Sequence, residues 1–175
     1  MQHEITHSAP LLNDKGSLRE PGYAKKLLPV YRRADIRAGK ARIKEWDYYL
    51  AANDHFAVAL TIADNGYMGL DSISLLHFDE KWERTKSPMR VFPMGRTGLP
   101  ETSAAGDTVI TGNGYGIAFR HVGDSRVLTF RMGDFLDGQP IEGRLVLTEE
   151  PEESMVICTP FPKPGCFYYN QKINC

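Results

Sequence analysis

The chain lacks any apolar run approaching the roughly 20 residues a membrane-crossing helix needs, so no membrane span is expected. It carries only 3 cysteines in 175 residues, Cys158, Cys166 and Cys175. An odd count with no CxxC and no paired histidine spacing argues against a disulfide framework and against a zinc site. A dominant charge of one sign is also missing. A formal net charge of −1 gives no global attraction to nucleic acid, and no nucleic-acid partner is expected. The start, Met1-Gln2-His3-Glu4-Ile5-Thr6-His7, has neither the basic head nor the apolar stretch of a secretory signal, which makes the cytoplasm the expected compartment. No repeat of fixed period and no low-complexity tract is present.

Charge is distributed unevenly. Between Arg19 and Lys44 stand nine basic residues (Arg19, Lys25, Lys26, Arg32, Arg33, Arg37, Lys40, Arg42 and Lys44) against Glu20 and Asp35. Acids gather later, at Asp134, Asp137, Glu142, Glu149, Glu150, Glu152 and Glu153. A basic arm for an anionic partner is one reading. A solvated leader lying against its own acidic segment is the plainer one and is favoured. Pro10, Pro21, Gly22, Pro29 and Gly39 break any long helix in this stretch. Residues 1–40 are therefore expected to form an irregular basic arm, and residues 41–175 an antiparallel β-barrel domain.

From Arg42 onward the pattern is that of strands. Trp46, Tyr48 and Leu50 alternate with Asp47 and Tyr49. Phe56, Val58, Leu60 and Ile62 alternate with Ala57, Ala59, Thr61 and Ala63, which gives one large-residue face and one small-residue face that either is covered or lines a space. Asp64-Asn65-Gly66 is the strongest hairpin signal, and the Asn-Gly pair predicts a type I′ turn. A strand over 67–78 follows. Residues 87–106, with Pro88, Pro93, Pro100, Gly95, Gly98 and Gly106, read as a long loop of the lid or binding kind. Further strands are expected over 108–112, 115–122, 126–132, 144–149, 153–159 and 166–173. Many short strands joined by turn residues, without amphipathic helices, predict an all-β fold: an antiparallel meander closing into a lipocalin-like (calycin-type) barrel, or half of one. The chain stops at Lys172-Ile173-Asn174-Cys175 in extended sequence, which points either to a last strand inside the fold or to a piece of a longer protein.

The candidate ligand-binding residues are Trp46, Asp47, Tyr48, His55, Asp71 and Arg96. A carboxylate among aromatics in an apolar cavity has a raised pKa and can protonate an alkene or carbonyl. Alternation, however, sets Asp47 opposite Trp46 and Tyr48, so an aromatic sheet core with a hydrogen-bonded Asp47 is the plainer reading. Asp71 falls mid-strand and, if buried, needs a partner. His55 and His121 fall near strand ends. Arg96, in Gly95-Arg96-Thr97-Gly98, belongs to a segment able to carry it toward an anionic head group. That segment opens no helix, so it is no phosphate loop. No metal-ligand spacing, cofactor fingerprint or nucleophile elbow is present, and no metal or cofactor is expected. Cys158 and Cys166 flank a proline-rich turn that brings the two thiols near each other if it closes a hairpin; free thiols are expected all the same.

Several stretches together resemble a known family: Glu20-Pro21-Gly22-Tyr23-Ala24-Lys25-Lys26-Leu27-Leu28-Pro29-Val30-Tyr31, Arg42-Ile43-Lys44-Glu45-Trp46-Asp47-Tyr48-Tyr49, Ala63-Asp64-Asn65-Gly66-Tyr67-Met68-Gly69, Pro93-Met94-Gly95-Arg96 and Phe167-Tyr168-Tyr169-Asn170-Gln171-Lys172. From about Pro10 to its end the chain resembles the family called domain of unknown function 2804. That family has no established activity, is about twice this length and is distantly similar to the lipocalin-like carotenoid 1,2-hydratase group, built from two barrel halves. The resemblance implies an N-terminal half with a cavity for a long apolar molecule. None of the relatives' acid–base residues maps onto a position here.

Three functions follow as expectations. The leading one is binding of a hydrophobic or amphipathic small molecule in a barrel cavity. The second is a hydratase- or isomerase-type enzyme acting on an isoprenoid-like alkene, with Asp47 or Asp71 as the acid. The third is a structural half-domain that pairs with a C-terminal half or with another copy through unpaired sheet edges.

Overall fold

The computed structural model describes residues 2–148 and 154–174. The expected acidic cluster Glu149, Glu150, Glu152 and Glu153, and Cys175, lie outside them. Fourteen strands follow in order: β1 (Ala9–Pro10), β2 (Gly22–Ala24), β3 (Pro29–Val30), β4 (Glu45–Ala52), β5 (Phe56–Asp64), β6 (Met68–His77), β7 (Trp82–Lys86), β8 (Met89–Val91), β9 (Thr108–Gly112), β10 (Tyr115–Val122), β11 (Ser125–Leu136), β12 (Gln139–Thr148), β13 (Ser154–Pro160) and β14 (Phe167–Ile173). Two single 3-10 turns, Arg33–Asp35 and Lys40–Arg42, are the only helical pieces among the described residues. None is long and apolar enough to cross a membrane.

The fold is all-β and, apart from the short parallel pair β1–β3 and the isolated parallel bridge Glu4↔Tyr23, antiparallel among the described residues. Among the described residues the strands close no barrel. The strands lie in separate open sheets: β4-β5-β6-β7 with β8 also on β6, then β12-β11-β10-β9, then β14-β13-β2. The alternation that predicted a barrel is equally satisfied by two sheets burying one face each. Sequence periodicity reports which face is apolar, not whether the edges meet.

The chain divides into two compact units. The first comprises Met1–Ala38, Pro100–Gly106 and Thr148–Cys175. Its core is Ile5, Leu11, Leu12, Ala24, Val156 and Cys158. Tyr31 stacks on Tyr169 with ring centroids 5.8 Å apart, and the Tyr169 hydroxyl donates to the Pro29 carbonyl at 3.0 Å. Burial leads in pushing both phenols up to about 12. The side-chain Oε1 of Gln171 accepts from both the Ser103 amide and hydroxyl at 2.7 Å.

The second unit comprises Gly39–Leu99 and Asp107–Leu147. Leu60, Ile62 and Ile73 from one sheet and Ile117, Phe119 and Leu128 from the other form a core with essentially no exposure. Tyr49 crosses from β4 to Phe119 with centroids 4.5 Å apart. Packed side chains fill this interior.

Two differences from the sequence expectations concern the middle of the chain. The stretch expected as a loop over 87–106 begins with β8, which pairs with β6 as Met68↔Val91, Gly69↔Arg90 and Leu70↔Met89, and β7 precedes it on the same neighbour. Pro88 hid this strand by interrupting it, since proline cannot donate to a ladder. The Asp64-Asn65-Gly66 reversal is tight but is not type I′, which needs two residues with positive φ. Gly66 has φ +78° and Asn65 does not share that region. The Asn65 amide bonds Met68 O at 2.8 Å.

Candidate functional site

Asp71 is fully buried on the inward face of β6. Arg90, opposite Gly69 on β8, donates Nε to one Asp71 oxygen at 2.8 Å and Nη2 to the other at 3.0 Å. The Tyr115 hydroxyl, reaching from β10 on the facing sheet, donates to Asp71 at 2.8 Å. Two glycines make the geometry possible. A Cβ on Gly69 would sit 2.7 Å from Arg90 Cζ, and one on Gly112 would collide with the Tyr115 ring. Burial first, then the bond and charge of Asp71, push the Tyr115 phenol up to about 12, which keeps it a donor.

Arg90 also joins this pair to a second buried carboxylate. Its Nη1 donates to Thr97 Oγ1 at 2.9 Å and its Nη2 to Ala63 O at 3.1 Å. Thr97 Oγ1 donates to Asp64 at 3.0 Å, and the Gly95 amide donates to the same Asp64 oxygen at 2.8 Å. The other Asp64 oxygen accepts from the Gly66 amide at 3.0 Å. Burial alone raises the Asp64 pKa, but these bonds together outweigh it and hold the carboxyl below its ordinary value. Backbone bonds from Phe92 to Tyr67 O at 2.9 Å and from Met94 to Gly66 O at 3.0 Å complete the attachment of residues 92–98 to the β5–β6 reversal. Phe92 and Met94 hold positive φ there without being glycine, local strain that the surrounding bonds must offset.

The six residues singled out from sequence do not converge. Asp71 lies in the sealed network. Trp46 and Tyr48 stand on the outward face of β4, 43% and 54% exposed, so they are not an aromatic sheet core. Asp47 points inward beneath them and accepts from Thr108 Oγ1 at 2.7 Å. Burial, opposed by that bond and by the charge of Arg126, raises its pKa. His55, at a strand end, bonds Asp79 at 2.8 Å among exposed groups. Arg96 is exposed and donates to the Phe92 carbonyl of its own segment. Among the described residues no group of His, Cys, Asp or Glu is placed to hold a metal.

What the sequence reading missed is a cleft of about 540 Å³ on the outer face of the sheet β9–β12. Its floor is small, with Gly116 and Ala118 on β10 and Thr129 on β11, because these positions alternate with the core-facing Ile117 and Phe130. Val109 and Thr111 wall one side, while Arg120, Arg131, Glu142 and Arg144 supply the charge. The register Gly116↔Arg131 and Ala118↔Thr129 sets a long side chain beside the gap that a glycine leaves. Alternating small and charged residues over 116–120 and 129–131 are the only signal of this in the sequence, and it is the signal of any solvated strand face.

No curated protein and no solved structure matches the chain. A family model does match, over residues 2–175. The stretches Asp64-Asn65-Gly66 and Pro93-Met94-Gly95-Arg96, distant in sequence and part of the resemblance noted above, form one hydrogen-bonded unit. The chain belongs to the family described as Domain of unknown function (DUF2804).

Proposed function

We propose that this chain is a binding protein for a small amphipathic molecule, seated in the open cleft on the outer face of β9–β12. The observation that carries the reading is the cleft itself: its volume of about 540 Å³ lies within the roughly 300–1,000 Å³ of ligand sites, and its lining mixes small apolar floor residues with a few polar groups. The lipocalin-like expectation of a ligand inside a barrel loses support from the filled interior around Phe119 and Leu128. The hydratase-type alternative needs a carboxylic acid opening onto a cavity. Neither Asp47 nor Asp71 lines the cleft, and Asp71 is enclosed by its own partners.

The test is a thermal-shift panel of fatty acids, long-chain alcohols, isoprenoids and retinoids on the wild-type chain and on Thr129→Trp, which fills the cleft from its floor. Stabilisation of the wild type, lost in a folded Thr129→Trp, supports the reading. Stabilisation that survives this substitution places the ligand elsewhere and removes it, as does no response to any compound.

A further inference from the structure

We infer that the ligand of this cleft carries an oxyanion, a carboxylate or a phosphate, gripped by Arg120, Arg131 and Arg144; the inference rests on the cleft being the ligand site. Three guanidiniums against the single carboxylate of Glu142 leave a local excess of two positive charges, on a chain whose formal net charge is −1. On the neighbouring strands of the same unit several basic side chains are engaged: Arg84 with Asp137, Lys86 with Asp134 and Arg90 with Asp71. Among the described residues Arg120, Arg131, Arg144 and Glu142 make no side-chain hydrogen bond or ion pair. The cleft thus brings three unneutralised guanidiniums around one space.

The residue type and its setting narrow the chemistry further. Arginine presents a planar fork of donors that matches two oxygens of one carboxylate or phosphate, which a lysine ammonium does not. Arg131 runs alongside Gly116, its Nε 3.7 Å and Cγ 3.9 Å from the place a Cβ would take. The arginine thus lies over the small floor residue Gly116, at ordinary contact distance from it. Exposed Val109 borders the same cleft and offers an apolar surface to the rest of the molecule. An anionic head with an apolar body fits both features. A bare inorganic anion satisfies only the arginines.

The experiment compares decanoate, decyl phosphate, decanol and inorganic phosphate by calorimetric titration, on the wild type and on the double variant Arg131→Gln/Arg144→Gln. Both decyl anions are expected to bind at least about tenfold more tightly than decanol, with inorganic phosphate weaker than decyl phosphate. The double variant, which keeps Arg120, is expected to reduce that preference at least about fivefold while leaving decanol unchanged. The tighter of the two anions assigns the head group. On the wild type alone, salt raised from about 0.05 to about 1 M weakens the anions but not the alcohol, because it screens exposed charges. Decanol binding as tightly as the anions, and displaced by Thr129→Trp, overturns the anion while keeping the cleft. Sedimentation with phosphatidylglycerol vesicles without binding of either decyl anion overturns it in favour of a membrane surface.

Discussion

Asp71 has no exposed surface and three donors within 3.0 Å. Taking away one partner of a buried ion pair strands the other, which costs roughly 3–5 kcal/mol. Asp71→Asn is therefore expected to lower the unfolding free energy by about 3 kcal/mol, and Tyr115→Phe by about 1 kcal/mol, both read from urea titrations. A loss below about 0.5 kcal/mol for Asp71→Asn would contradict the structural role given to the pair. Asp47 behaves differently. Its folded pKa is raised by burial, so the fold favours the protonated carboxyl. That contribution is complete below about pH 4, the ordinary aspartate value, and is lost as pH rises through the folded value. Asp47→Asn keeps the bond from Thr108 and removes the charge, so it is expected to stabilise the protein at pH 7 and to make little difference near pH 4. A stability difference independent of pH would refute this. Sequence alternation placed Asp47 and Asp71 on their faces. It did not pair Asp71 with Arg90, 19 residues away and beyond Pro88, because side-chain partners across strands depend on register.

The β5–β6 reversal and the segment 92–98 behave as one element. Gly66 is required twice: its φ of +78° disfavours a side chain, and a Cβ there would lie 2.6 Å from the Ala41 carbonyl oxygen. Gly66→Ala is expected to cost at least about 1–2 kcal/mol, seen as a lowered midpoint of thermal unfolding. Asp64 couples the two stretches, and its depressed pKa gives a pH dependence of the opposite sign to that of Asp47. Its contribution is present above about pH 4 and is lost as pH falls through the lowered folded value. Asp64→Asn is thus expected to destabilise most at neutral pH, with the gap to wild type closing on acidification. In hydrogen exchange the Gly95 amide, which Asp64 accepts at 2.8 Å, is expected to lose protection first. Unchanged exchange at Gly95 would show that backbone bonding alone holds the segment. The turn itself was legible in Asp64-Asn65-Gly66, since a positive φ has few residue choices. Its attachment to Pro93-Met94-Gly95-Arg96 was not, because nothing in either stretch names the other.

At the scale of the whole molecule Cys158 and Cys166, the cysteines among the described residues, take no covalent part in the fold. Cys158 is opposite Tyr169, while Cys166 meets Phe161 beyond the end of the ladder, three residues or roughly 10 Å further along, and both thiols are free. Burial, with a smaller effect of Glu20, pushes the Cys158 thiol up to about 11, and the thiolate is the reactive form. Alkylation at pH 8 followed by peptide mapping is expected to label the partly exposed Cys166 in the folded protein and Cys158 only after unfolding; equal labelling of the two would disprove the buried placement. From composition and period-two patterning alone follow the all-β class, most strands after Arg42 and the reversal points between them, because face alternation and turn conformation are set by backbone sterics over a few residues. Tertiary structure alone decided that the sheets stay open, that Phe119 and its neighbours fill the space a barrel would leave, and that Arg120, Arg131 and Arg144 meet around one cleft. Those outcomes depend on register and on contacts between distant strands, which the same alternating pattern permits in more than one arrangement.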